Sequence, residues 1–318
     1  MRCAIHLVVL SVGVLGLGLL VPWTVSADPP LFKLDTPSQL MKVSVPHRPN
    51  AIVWSPDGAY IATGAWGWWR AGEKASLSEI YVIDVRRESV KTTLKVPSSF
   101  PGPGLVFSPD GKWLAIGTPT KAGDETSELA IFDVPAFTRK FTAKPSGAKV
   151  GFVDLTWSAD GKALYAVEGS DEEKSQVRRW AMPDFTEQPA IRVLNSGRCL
   201  ALAVSADGKA LAVAEYKGLL RLFDLPSGTE RTSFLIGGVD LGWRLAFAED
   251  GKEIALFDQG RTFWFDTATG KATKLKLARV AIQPSGLSDQ WCSRYAISPD
   301  GRKQVRGEER HPTLVFEK

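Results

Sequence analysis

Phe107-Ser-Pro-Asp-Gly111 decides the fold, because five further copies of this pentapeptide recur along the chain. They are Trp54-Ser-Pro-Asp-Gly58, Trp157-Ser-Ala-Asp-Gly161, Val204-Ser-Ala-Asp-Gly208, Phe247-Ala-Glu-Asp-Gly251 and Ile297-Ser-Pro-Asp-Gly301. The aspartates stand at 57, 110, 160, 207, 250 and 300, so the intervals are 53, 50, 47, 43 and 50 residues. An internal period of that size marks a chain built from one supersecondary unit stacked many times.

Each copy has the chemistry of a tight hairpin. Proline presets φ, aspartate bonds the backbone two residues on, and glycine accepts a positive φ. A strand with alternating bulk precedes it, as at Ile52 and Trp54, and a second follows, as at Trp113-Leu-Ala-Ile116. A third strand ends in an aromatic or isoleucine plus an acid: Ile83-Asp84, Phe132-Asp133, Phe223-Asp224, Phe265-Asp266 and Phe316-Glu317. The third copy departs, with Trp180 before Ala181. A turn such as Pro226-Ser-Gly228 then leads into a more variable fourth strand. Four short antiparallel strands per repeat describe the blade of an all-β propeller.

These motifs resemble the WD-repeat propellers, in which FSPDG followed by LAxG and LxLFD is a familiar bacterial form. The resemblance covers nearly all of residues 31–318. It implies a propeller whose loops between second and third strands share one face with the entries to the first strands, and whose ligands gather on that face. Two family marks are degraded. The Gly-His pair survives only as a trace at His47, and Phe or Ile replaces the Trp of the WD dipeptide beside each acid. The SPDG turns also resemble those of the periplasmic propeller of the Tol translocation system.

Ring closure sets the blade number. Leu31-Phe-Lys-Leu-Asp35 reads as a third strand, so Met41 to Pro46 is expected to be a fourth strand placed at the N-terminus. The last copy ends at Lys318 without a fourth strand of its own, and the N-terminal strand can supply it, leaving no open edge. Six four-stranded blades follow, with Leu31 to Asp35 as a surplus strand or arm. Seven blades would need a first-and-second-strand pair that the sequence does not contain.

Composition bounds the rest. With 44% hydrophobic and 23% charged residues, the 318-residue chain is neither disordered nor a polytopic membrane protein. A formal charge of +4 without a basic run lacks the footprint of a nucleic-acid binder. Three Cys and three His argue against a disulfide scaffold and a histidine-built metal centre. No cofactor motif is present: there is no P-loop, GxSxG elbow, DxDxDG loop or CxxC. Arg2, the apolar run Leu7 to Val21 and the small-residue site Val25-Ser26-Ala27 read as a signal peptide over residues 1–27. An uncleaved anchor is the alternative. The expectation is an exported protein, periplasmic or extracellular, whose residues 28–318 form a single propeller domain with no membrane span.

Candidate site residues come from breaks in the repeat. Relative to the 17-residue span from hairpin aspartate to third-strand acid in the fourth and sixth copies, the first three carry insertions of 10, 6 and 4 residues between second and third strands. The first contains Trp66, Trp68, Trp69 and Arg70 among flexible glycines. Indoles beside an arginine compose both interface hot spots and sugar-stacking platforms; packing against a neighbouring blade is the competing role. Trp54, Trp113, Trp157, Trp180 and Trp264 fall on strand positions and read as core. Six residues before each hairpin aspartate stand Ala51, Gly104, Asp154, Ala201, Arg244 and Arg294, at the expected start of the innermost strand. Asp154, Arg244 and Arg294, with Trp291, Trp243 and Arg198 nearby, either grip a polar ligand or pair across a seam between blades. Cys199 and Cys292 occupy equivalent positions two blades apart, which argues against a disulfide unless the long loop before Cys292 folds inward.

Two functions fit these residues. One is a non-catalytic scaffold that binds a protein or glycan through its loop-rich upper face. The other is a small hydrolase or lyase in the central channel, built from Asp154, Arg244 and Arg294. Fold alone does not choose, because propellers host both. N-terminal sequencing of exported material is expected to begin at Asp28; recovery of Met1 would remove the cleaved-leader reading.

Overall fold

The computed structural model describes residues 41–45, 49–65, 77–97, 104–119, 127–147, 150–169, 175–193, 199–215, 218–236, 244–258, 261–277, 295–297, 304–307 and 313–317. All regular structure among them is β, and no helix there is long and apolar enough to cross a membrane. The signal peptide, Leu31 to Asp35 and the whole Trp66 to Arg70 insertion lie outside the described residues.

Strand β1 is Met41–Ser44. The first sheet runs β2 (Pro49–Trp54), β3 (Tyr60–Ala65), β4 (Leu77–Asp84), β5 (Ser89–Pro97). The second is β6 (Gly104–Phe107), β7 (Trp113–Gly117), β8 (Leu129–Asp133), β9 (Arg139–Ala143). The third is β10 (Gly151–Trp157), β11 (Ala163–Gly169), β12 (Ser175–Ala181), β13 (Thr186–Val193). The fourth is β14 (Cys199–Val204), β15 (Ala210–Glu215), β16 (Leu219–Asp224), β17 (Thr229–Leu235). The fifth is β18 (Arg244–Phe247), β19 (Glu253–Asp258), β20 (Arg261–Asp266), β21 (Ala272–Leu277). The sixth joins both ends of the chain: β22 (Tyr295–Ile297), β23 (Gln304–Gly307) and β24 (Thr313–Glu317) are completed by β1, with Met41 opposite Phe316 and Ser44 opposite Thr313.

Every sheet is an antiparallel meander, and the first strands of neighbouring sheets touch one another, β2 against β6, β6 against β10, β10 against β14, β14 against β18, and β22 against β2. Six four-stranded sheets packed in this way are a β-propeller. The core lies between the sheets. One apolar cluster joins Val53, Ile80 and Val82 of the first sheet to Phe107, Leu114 and Ile116 of the second. Others join the second to the third around Phe152 and Trp180, the third to the fourth around Val167 and Val213, and the fourth to the fifth around Leu222 and Ile254. Val43 of β1 and Val45 just after it pack on Ile52, Trp54 and Ile83. Since both faces of a blade are covered, Ala51-Ile-Val-Trp54 is buried at every position rather than alternately. Of the tryptophans assigned to the core, Trp54, Trp157 and Trp180 are buried, while Trp113 and Trp264 are half-buried.

The repeated pentapeptide works through its serine as much as its aspartate. Ser108 Oγ donates to Asp110 Oδ1 at 2.6 Å and accepts the Trp113 N–H at 3.0 Å. Ser158 and Ser205 do the same, donating at 2.6 Å and accepting from Ala163 and Ala210 at 2.9 Å. Ser55 repeats the pattern at 2.5 and 2.8 Å. The aspartate's Oδ1 also takes the N–H two residues on, as Lys209 donates to Asp207 at 3.0 Å. Glycine closes the turn at a φ of 69 to 71°. The Ser205 hydroxyl, followed by the Lys209 N–H, holds the Asp207 carboxyl below its ordinary value. Ser158 does so for Asp160.

The second recurring device is the turn between third and fourth strands. Asp84 Oδ1 accepts the N–H groups of Arg86 and Arg87, each at 3.0 Å, and Asp266 Oδ1 accepts those of Ala268 and Thr269 at 3.1 and 2.7 Å. Four residues past each third-strand end the chain is left-handed, at Glu88, Phe137, Phe185, Gly228 and Gly270. The two phenylalanines in this uncommon conformation pack their rings into the seam with the preceding blade. Phe137 meets Tyr60 edge-on at 5.2 Å, and Phe185 meets Trp113 at 5.3 Å. Where the turn has glycine, the neighbour fills the space: a Cβ on Gly228 would stand 2.8 Å from Ile191.

In the fifth blade Ala248 occupies the serine position, and its backbone N–H donates to the Glu253 carbonyl at 2.8 Å. Ser205→Ala is expected to lower stability by about 1 kcal/mol. The Ser205 effect carries a pH signature. Asp207 is depressed in the fold, so its contribution is complete above an unfolded pKa of about 3.9 and disappears as pH falls through the folded value. Removing Ser205 takes away the main cause, and the wild-type advantage should narrow below about pH 4. Urea titrations at pH 7 and pH 3 measure it; an advantage that grows at pH 3 would contradict the serine's role.

Candidate functional site

Because each sheet is a meander, its two ends differ. The serine hairpins and the acid-capped turns occupy one end, and the connections from second to third strand and from blade to blade occupy the other. Buried polar side chains concentrate at the second end. Thr63, Thr118, Glu128, Glu168, Ser175 and Glu215 all lie where a second strand finishes or a third begins, and all are buried.

Hydrogen bonding explains how they tolerate burial. In the second blade, Thr118 Oγ1 accepts the Glu128 N–H at 2.8 Å, the Thr118 N–H donates to the Glu128 carbonyl at 3.0 Å, and Ser127 Oγ donates to the Thr118 carbonyl. This clamp ties off the base of the second insertion. The Glu128 carboxylate accepts from Arg139 at 2.5 Å and lies 3.4 Å from Lys144 Nζ.

The third and fourth blades carry a matched triad. Glu168 lies 3.6 Å from Arg178, accepts from Gln176 at 2.5 Å and takes the Ser146 N–H of the preceding blade. Arg178 forks onto Glu187 at 2.7 and 2.9 Å, and its Nη1 donates to the Lys144 carbonyl at 2.6 Å. Glu215, Arg221 and Glu230 repeat the arrangement, with Arg221 Nε on Glu215 and Nη1 3.0 Å from both Glu230 oxygens. Burial alone would lower the arginines. For Arg178 the bonds to Glu187 and Glu168 outweigh that, and for Arg221 those to Glu215 and Glu230 do. In the first blade the Tyr81 hydroxyl donates to Glu79 at 2.5 Å, and burial, reinforced by that carboxylate, pushes the phenol above its ordinary value.

Sequence reading passed over these triads, although their repeat positions are visible. Glu168 and Glu215 each follow their hairpin aspartate by eight residues, and Arg178 and Arg221 each precede the third-strand aromatic by two. A search of polar residues in repeat register finds them.

Of the residues singled out beforehand, Trp66, Trp68, Trp69, Arg70, Trp291 and Arg294 lie outside the described residues, as do Trp243, Arg198 and Cys292. Cys199 is buried at the start of β14. Arg244 opens β18 and is buried. Asp154 does not open its strand. β10 begins at Gly151, and a bulge between Phe152 and Asp154 inserts one residue, as bulges also do before Ala51 and Ala201. Such a bulge re-aims the residue that follows it. Asp154 Oδ2 accepts the Leu202 N–H, 3.0 Å away on the innermost strand of the next blade. On the other side, Trp157 Nε1 donates to the Val106 carbonyl of the preceding blade at 3.4 Å. Both groups thus bridge first strands. Among the described residues, no three His, Cys, Asp or Glu side chains converge as metal ligands would.

No family model matches the chain, and no curated protein matches it. Among solved structures, a chain of Kuenenia stuttgartiensis hydrazine synthase is similar over 81% of this chain and 73% of that one, with a TM-score of 0.57 and 16% sequence identity. At that identity the likeness concerns the fold alone. Fold and comparison together define a β-propeller protein.

Asp154→Ala removes the acceptor of a buried backbone N–H and is expected to cost about 1–3 kcal/mol, whereas Asp154→Asn keeps a carbonyl oxygen and should cost less. Thermal melts of both variants check this; an Ala variant that melts like the wild type would show that the seam does not need the carboxylate.

Proposed function

We propose that this protein is an exported, WD-repeat-like propeller that acts as a non-catalytic interaction scaffold, binding a protein or a glycan through its loop-bearing face. The observation that carries the reading is the polarity of the two blade ends. One end is closed by the same short serine hairpin in blade after blade. At the other, buried carboxylates and hydroxyls anchor the bases of loops that differ in every blade. Uniform turns serve the fold, whereas variable loops on a rigid base are where binding residues normally gather. Trp66, Trp68, Trp69 and Arg70 fall in the longest such insertion between second and third strands, and Arg244, Arg294 and Trp291 belong to entries on the same face. Export to the periplasm or the extracellular space rests on residues 1–27. The bond from Leu202 to Asp154 favours a seam role for that carboxylate over the channel hydrolase or lyase.

The Trp66→Ala, Trp68→Ala, Trp69→Ala triple variant separates a contact platform from packing. A platform predicts lost capture of the extracytoplasmic protein or glycan with a nearly unchanged melting temperature. Packing predicts a loss of about 3–5 kcal/mol per buried tryptophan and early melting. A large loss of stability would overturn the platform even if binding also vanished.

A further inference from the structure

The outermost strands of the first two blades present one motif twice. β5 contains Lys91-Thr-Thr93-Leu-Lys95, and β9 with the residue after it contains Lys140-Phe-Thr142-Ala-Lys144. Burial follows the same alternation in both: the two lysines and the central threonine are exposed, and the residues between them turn inward. The equivalent outward positions are Gln188, Ala190 and Arg192 in the third blade and Arg231, Ser233 and Leu235 in the fourth. Arg139 Nη2 donates to the Lys95 carbonyl at 2.7 Å, so the two strands belong to one continuous rim.

We propose that this rim is a second binding surface, distinct from the loop face, for an acidic polysaccharide whose carboxylates meet the lysines and whose hydroxyls meet Thr93 and Thr142. Outward residues on a strand repeat about every 6.6 Å, which sets ammonium, hydroxyl and ammonium in line. Among the described residues, Lys95 lies 3.8 Å from Glu79, Lys140 3.3 Å from Asp133 and Lys144 3.4 Å from the buried Glu128, while Lys91 lies 5.4 Å over the Tyr60 ring. All four lysines stay exposed, and the Lys95 and Lys140 pairs are of the surface kind that contributes little and exchanges readily for a ligand carboxylate.

The same acids temper the local field, which suits a chain with spaced charges and intervening hydroxyls better than a dense polyphosphate. The ladder also offers no outward aromatic for stacking a nucleobase, because Phe141 turns inward onto Phe185. Lysine on an outer strand discourages edge-to-edge pairing, but β13 and β17 carry other outward residues, so edge protection does not require the identical triplet.

Binding of the full-length protein to polygalacturonate at low salt, followed by calorimetry, tests the proposal. The quadruple variant K91Q/K95Q/K140Q/K144Q should bind at least about tenfold more weakly, with its melting temperature preserved. K112Q/K162Q/K209Q/K252Q removes the same number of charges from the hairpin turns and should bind as the wild type does. Equal losses in the two variants would reduce the effect to net charge and overturn the ladder. Absence of wild-type binding would overturn it as well, and so would tighter binding of single-stranded DNA than of polygalacturonate.

Discussion

Face-to-face packing of neighbouring sheets is the constraint on which the rest of this structure depends. A four-stranded meander of this length cannot bury enough apolar surface by itself, and the first five blades pack face to face through shared apolar clusters. Inner strands such as Ala51-Ile-Val-Trp54, Gly104-Leu-Val-Phe107 and Cys199–Val204 are therefore buried on both faces. It also follows that the ring must join its ends, which β1 does by pairing with β24.

Apart from bridges such as that of Asp154 to Leu202, the polar side chains gather at the blade ends, where they divide by task. The hairpin end is economical: one serine hydroxyl and one carboxylate satisfy the turn, and the following turn is capped by the third-strand acid. At the opposite end the connections vary in length, and their bases need larger devices. The Thr118 clamp and the Glu–Arg–Glu triads of the third and fourth blades fill that role. Arginine suits it because a planar fork can meet a carboxylate in its own blade and still reach a carbonyl in the preceding one, as Arg178 does with Glu187 and Lys144.

The proposed function inherits this division. A rigid ring with uniform turns below and individual loops above can change its ligands without changing its fold, and the first-blade insertion at Trp66 to Arg70 is the largest departure from the repeat between second and third strands. The outer rim obeys a looser rule. Its residues touch solvent, so the recurrence of Lys-Thr-Lys on two adjacent blades is not demanded by packing.

The repeat, the strand count per repeat, the turn residues and the pairing of β1 with the C-terminal sheet are legible in the sequence because each has a local signature that recurs. The hairpin aspartate was readable for the same reason. Its serine was harder to read, since the bond that matters reaches five residues ahead, to an N–H whose position only the closed hairpin sets. Asp154 shows where local reading stops. Its position in the repeat is plain, but a bulge shifts it off the strand start and turns its carboxylate to Leu202, 48 residues away. Bonds that cross a seam depend on how two blades meet, and that is decided by the summed packing of both faces, not by any pattern within one repeat.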